Sequence, residues 1–155
     1  MEFLANLHPQ IVHFPIAILF TYTLFELIGV VIKKEFYLKA AYLLLIFGVI
    51  GAFFAVLTGN QAFTSYQYWN NSSKGLFEYH QTYANITVWF FTALLVVRTF
   101  LLVKKKFNGI IKYFILVLAL FGCFLIYQSA KYGGDLVKKF GVGTDLKINQ
   151  YQTNE

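Results

Sequence analysis

The sequence predicts an all-α integral membrane protein, a four-helix bundle with up-down-up-down connections. Its 155 residues are 58% apolar and only 13% charged, and the mean hydropathy is +0.59. A soluble domain is about 45–50% apolar and about 25% charged, so one small core cannot bury this much apolar surface. A water-soluble enzyme is therefore excluded.

Four runs of about twenty apolar residues account for most of the chain, and each is long enough to cross a hydrocarbon layer of about 30 Å. We expect spans at residues 9–32, 36–58, 80–103 and 110–129, followed by an outer tail over 130–155. These spans must be helical because lipid offers no partners to backbone polar groups. Short turns join the first span to the second and the third to the fourth, which predicts a single antiparallel transmembrane domain.

The lysines indicate the orientation of the spans. They flank the two short turns, whereas the residues before Pro9 carry none and the long middle loop carries only Lys74. By the positive-inside rule the short turns are cytoplasmic and both termini are extracytoplasmic, although lysines in the tail reduce this bias. The net charge of +6 then reports topology and lipid contact, and nucleic acid is not an expected partner.

Two further features bear on the end of the chain and on its redox chemistry. Gly133 can adopt the left-handed conformation that ends a helix, so we expect the fourth helix to stop near Gly133–Gly134 and the next segment to lie on the outer membrane surface. Cys123 is the only cysteine. A disulfide framework and a thiolate metal site are therefore excluded.

The three histidines all fall at the outer end of the predicted bundle. His8 precedes Pro9, His13 lies four residues inside the first span, and His80 opens the third. At 1.5 Å per residue, His13 and His80 lie within about one helical turn of the same depth. Histidine inside a span usually faces the bundle interior or a water-filled cavity, so His13 is the first candidate for a site. Because it precedes proline, His8 is expected in an extended conformation.

The helical face of His13 also carries Ala17 and Phe20. The small Ala17, one turn from His13, leaves room for a flat ring, so the face suits haem or a quinone. Each histidine also has an interpretation that involves no ligand. His13 would then be hydrogen-bonded to a neighbouring helix, His80 would be a hydrated residue at the membrane interface, and His8 would merely begin a helix.

Glu26 and Arg98 are the other costly residues inside the spans. Each lies about 8–9 Å from the inner end of its helix, counted at 1.5 Å per residue. An unpaired charge at that depth is unfavourable, and arginine cannot give up its charge. We therefore predict a structural ion pair between them. The alternative is that Glu26 is a proton or quinone site.

A stretch near the N-terminus, LHPQIVHFPIA over Leu7–Ala17, resembles the signature of a bacterial four-helix membrane family known as domain of unknown function 2231. The acidic Glu26, the histidine His80 and the closing Gly133–Gly134 follow in the same order as in that family. The resemblance implies a multi-pass protein of the bacterial inner membrane. It also implies redox work beside cytochromes or other membrane redox subunits.

Three functions remain open at this point. The first is a b-type cytochrome-like electron-transfer subunit without catalytic activity of its own, with His13 and His80 as axial ligands of haem b, or one of them paired with His8. The second is a structural or assembly subunit of a larger membrane complex. The third is a copper or other metal site formed by the three histidines.

Overall fold

The computed structural model describes residues 2–67 and 69–143, and every regular element within them is an α-helix. The helices are α1 (Glu2–Ile11), α2 (His13–Val31), α3 (Glu35–Ser65), α4 (Asn71–Val103) and α5 (Ile110–Phe140). Four helical stretches are long and apolar enough to cross a membrane, and the first of them, Leu7–Val31, combines the end of α1 with α2. The prediction of an all-α four-helix membrane bundle is confirmed.

The first span is interrupted at Val12, between α1 and α2. Pro15 has no N–H to offer the carbonyl of Ile11, so the regular hydrogen-bond ladder fails at this point. The chain remains close to helical, because the Val12 N–H still donates to the His8 carbonyl at 3.1 Å. His8 is therefore helical, and the extended pre-proline conformation expected for it is wrong.

Three helices extend several residues beyond the predicted spans at the end of the bundle that carries the long loop. α5 continues through Gly133 and Gly134 and ends at Gly141, whose φ of 64° is left-handed. Residues 130–140 are thus helical and do not form a tail, while residues 144–155 lie outside the described part of the chain. Glycine is favoured at such a stop because it has no Cβ to clash.

The helices are arranged so that α2 and α4 occupy opposite corners of the bundle. α2 packs against α3 and α5, and α4 packs against the same two helices, while α1 lies mainly on α3. Glycines allow close approach, as where the Phe91 ring of α4 contacts Gly122 of α5. Only long side chains can therefore reach across the interior from α2 to α4.

The two helical hairpins share one plan. Eighteen residues separate His8 from Glu26, and eighteen separate His80 from Arg98. Since eighteen residues complete five helical turns, each pair shares a face of its helix. The turns match as well, because Lys33 and Lys105 both have a φ of 55°. Lys33 follows His8 by 25 residues, and Lys105 follows His80 by 25 residues. Each hairpin therefore carries a histidine, a charged residue and a turn lysine at equivalent positions.

Candidate paired-histidine site

His8 of α1 and His80 of α4 are half-buried near the end of the bundle that carries the long loop. His80 lies 23 residues before the end of α4, a rise of about 35 Å. A hydrocarbon layer of about 30 Å that begins near Val103 would therefore end close to the histidines.

Each histidine ring packs against a glycine of the neighbouring helix in its own hairpin. A Cβ placed on Gly59 of α3 would lie 2.9 Å from Cε1 of His8, and one placed on Gly133 of α5 would lie 3.0 Å from Cε1 of His80. Both distances are shorter than ordinary carbon contacts. A side chain at either glycine would therefore force the histidine ring to shift.

Hydrogen bonds fix the tautomer of both imidazoles. His80 Nδ1 lies 3.0 Å from the Ser129 carbonyl oxygen, which can only accept, so Nδ1 carries the proton. His8 Nδ1 lies 3.0 Å from Thr58 Oγ1, and the Thr58 hydroxyl already donates to backbone carbonyls of α3. His8 is therefore the donor in its bond as well. In the neutral ring, Nε2 is then left with its lone pair.

His13 does not join this pair. It is exposed, and its Nδ1 donates to the Pro9 carbonyl oxygen at 2.6 Å. Ala17 and Phe20 are exposed on the same face. The slot expected on this face is therefore on the outside of the bundle, because α2 turns a different set of residues inward: Pro15, Leu19, Tyr22, Thr23, Glu26, Gly29 and Val30.

Sequence reasoning placed His13 ahead of His8, although a signal in favour of His8 was present. His8 lies five turns from Glu26 and shares its inward face, whereas His13 lies thirteen residues away, about 140° from that face on a helical wheel. The spacing to the buried charge therefore identifies the inward-facing histidine.

Glu26 and Arg98 form a buried ion pair between the corner helices α2 and α4. Both side chains are 0% exposed, and Arg98 Nη1 donates to Glu26 Oε2. Arg98 Nη2 donates to the Leu38 carbonyl oxygen at 2.7 Å, and the Phe107 ring lies 4.6 Å from the guanidinium carbon. Within the described residues, Glu26 Oε1 and Arg98 Nε have no hydrogen-bond partner.

An apolar layer separates the ion pair from the histidines. Eighteen residues of helix lie between the two levels, a rise of about 27 Å. Leu19, Leu45 and Phe91 are almost completely buried in that layer. The two polar pairs are thus independent sites at opposite ends of a dry core.

The histidines are also too few for a metal site built from protein ligands alone. In the described part of the chain, no three histidine, cysteine or acidic side chains are grouped as a metal ion would require. What the bundle offers is two imidazoles with fixed orientation on different helices.

These observations define a class: an integral membrane four-helix bundle with paired histidines at one end and a buried ion pair at the other. Residues 4–146 match the family model of a predicted membrane protein, domain of unknown function 2231. The chain belongs to this family. Searches of curated proteins and of solved structures found no match.

Proposed function

We propose that the protein is a b-type cytochrome-like electron-transfer subunit in which His8 and His80 would hold one haem b. The observation that carries the proposal is the state of the two rings, which come from different helices and each have Nδ1 bound to a protein acceptor. Histidines that ligate metals almost always have this second bond, because it fixes the tautomer and raises the basicity of Nε2.

Small residues surround the pair, and this supports a site for a flat apolar cofactor. Gly59 and Gly133 bring backbone against the rings. The buried side chains of α3 and α4 at this end of the bundle are small, namely Ala52, Thr58, Ser73 and Thr87. Cofactor sites in helix bundles are commonly built from side chains on different helices, and this supports a shared site for His8 of α1 and His80 of α4.

Haem held by these two imidazoles would supply one-electron transfer. The chain itself does three things. His8 and His80 provide the ligand nitrogens, Thr58 and Ser129 hold the rings in orientation, and the apolar layer around Phe91 keeps water away from the inner side of the site. Glu26 and Arg98, about 27 Å away along the helices, hold the bundle together and take no part in electron transfer.

We further propose that the protein lies in the bacterial inner membrane with the histidines and both termini on the extracytoplasmic side. The lysine-rich short turns support this orientation. Its partners are then the lipid bilayer and cytochromes or other membrane redox subunits that meet the end of the bundle with the long loop. A copper site formed by all three histidines is disfavoured, because His13 is exposed on the outer face of α2.

The test is the visible spectrum of detergent-purified protein produced with ample haem precursor. Wild type and His13→Ala should both show a Soret band and a reduced-minus-oxidised α band, whereas His8→Ala and His80→Ala should lose most of their haem. Gel filtration and circular dichroism establish that each variant is folded. Folded wild type without haem refutes the proposal, as does full haem retention in both His8→Ala and His80→Ala.

A further inference from the structure

A second site lies at the opposite end of the bundle, beside the short turns. A half-open cavity of about 290 Å³ lies between α3 and the end of α4. Its apolar wall consists of Leu38, Leu43, Leu102 and Phe107, with Tyr42 at its side. Two charged residues, Glu35 and Lys39, complete the lining. Ligand pockets typically hold about 300–1,000 Å³, so this cavity takes one chain of a ligand and not a bulky ring system.

Both hairpins hold the walls of this cavity in place. Tyr42 of α3 is 3.0 Å from the Thr99 hydroxyl of α4, and Arg98 of α4 binds the Leu38 carbonyl oxygen of α3. The Phe107 ring is held against the same guanidinium. The cavity is therefore preformed, because its lining residues are bonded across the helix interface.

Positive charge surrounds the mouth of the cavity. Seven lysines lie at this end of the bundle, against two acidic residues, Glu26 and Glu35. Glu26 is paired with Arg98, and Glu35 is paired with Lys112 at 3.3 Å. Lys39 is exposed at the rim and has no ion-pair partner within the described residues. Lys104, Lys105 and Lys106 connect two lining residues, Leu102 and Phe107, so their charges also lie near the mouth.

The two short turns place a lysine at a left-handed backbone position. Lys33 and Lys105 both adopt a φ of 55°, immediately after the C-caps of α2 and α4. Glycine is the usual residue at this position because it has no Cβ. Lysine occupies it in both hairpins, so the cationic side chain is present at a position where the backbone disfavours it.

We propose that this cavity binds an anionic phospholipid, with one acyl chain against Leu43 and Leu102 and the phosphate beside Lys39 and the turn lysines. The apolar wall matches an acyl chain, and the uncompensated lysines match a negative headgroup. Basic pockets between membrane helices recognise anionic lipids by this combination. The site is independent of the paired histidines, which lie at the other end of the bundle.

The experiment measures lipid binding to delipidated protein by native mass spectrometry and by thermal shift, with phosphatidylglycerol and phosphatidylcholine of identical acyl chains. We expect phosphatidylglycerol to bind more tightly and to raise the melting temperature more. Lys39→Gln should weaken binding of phosphatidylglycerol about fivefold, the loss expected for one lysine near an anionic surface. Lys39→Arg should retain binding, and Lys74→Gln in α4, at the other end of the bundle, is the matched control.

A second variant tests the acyl chain. Leu102→Trp should fill the cavity and weaken binding of both lipids, with the fold checked by circular dichroism. Equal binding of the two lipids, or an equal loss in Lys74→Gln and Lys39→Gln, overturns the proposal. The same thermal shift with inorganic phosphate alone would also overturn it, because the site would then bind a free anion and not a lipid.

Discussion

Removing one partner of the Glu26–Arg98 pair should destabilise the bundle far more than removing both. Glu26→Leu leaves a fully buried guanidinium without its carboxylate, and Arg98 cannot lose its proton. Breaking a buried pair in this way costs about 3–5 kcal/mol. The bond from Arg98 Nη2 to the Leu38 carbonyl oxygen and the contact with Phe107 remain, so we expect the lower half of that range.

Arg98→Met should cost less than Glu26→Leu. The remaining Glu26 can take up a proton and become neutral, which leaves one buried hydroxyl without a partner, at a cost of about 1–3 kcal/mol. The double variant Glu26→Leu/Arg98→Met contains no buried charge and roughly preserves volume. It should lose less stability than either single variant, so its loss should fall well short of the sum of the two single losses.

The measurement is the free energy of unfolding in detergent, followed by circular dichroism during a reversible denaturant titration of wild type, both single variants and the double variant. Additive losses would refute the reasoning, since they would show that the two charges do not stabilise each other. If Glu26→Leu folds with wild-type stability but abolishes electron transfer, Glu26 is a proton or quinone site and the structural interpretation is wrong.

Three further predictions concern the glycines, the cap of α4 and the orientation. Gly133→Ala places a Cβ 3.0 Å from the His80 ring and should destabilise the protein by about 1–3 kcal/mol in thermal melts. Gly134→Ala meets no described atom within 4 Å and should stabilise it by about 0.5–1 kcal/mol. Equal effects of the two substitutions would contradict the contact between Gly133 and His80. Asn70→Ala removes the capping box of α4 and should cost about 1 kcal/mol by the same assay, while an unchanged melting temperature would show that the cap does not matter. In a cysteine-free background, Lys74→Cys should react with an impermeant maleimide added to intact cells and Lys105→Cys should not, and the reverse pattern would invert the orientation.

The membrane bundle could be predicted because it follows from hydropathy and span length alone, and both are properties of the sequence. The depth of Glu26 and Arg98 was also available from the sequence, since residue counts convert directly into rise along a helix. The structure brings these two side chains together at the level that the count indicates.

Apolar periodicity does not show which face of the first helix points inward. α2 is apolar on nearly every side, so the pattern does not separate lipid-facing from core-facing positions. For this reason the sequence pattern predicts an interior slot at Ala17 and Phe20, although both residues are exposed. The buried Glu26 is the better reference point, and counting turns from it identifies His8.

Tertiary contacts decided two further features. Local rules favour an extended residue before Pro9 and a helix stop at Gly133. The structure keeps His8 helical, where it reaches Thr58, and carries α5 past Gly133, whose missing side chain makes room for a histidine ring. Both outcomes depend on residues about fifty positions away in the sequence, which local rules do not include.

The electron paramagnetic resonance spectrum of the purified ferric protein tests the central claim most directly. Two imidazole ligands to one haem predict a low-spin spectrum in wild type and in His13→Ala, and a high-spin signal in whatever haem His8→Ala or His80→Ala retains. A high-spin signal in wild type, or a low-spin signal that persists unchanged in His8→Ala and His80→Ala, would contradict ligation by this pair.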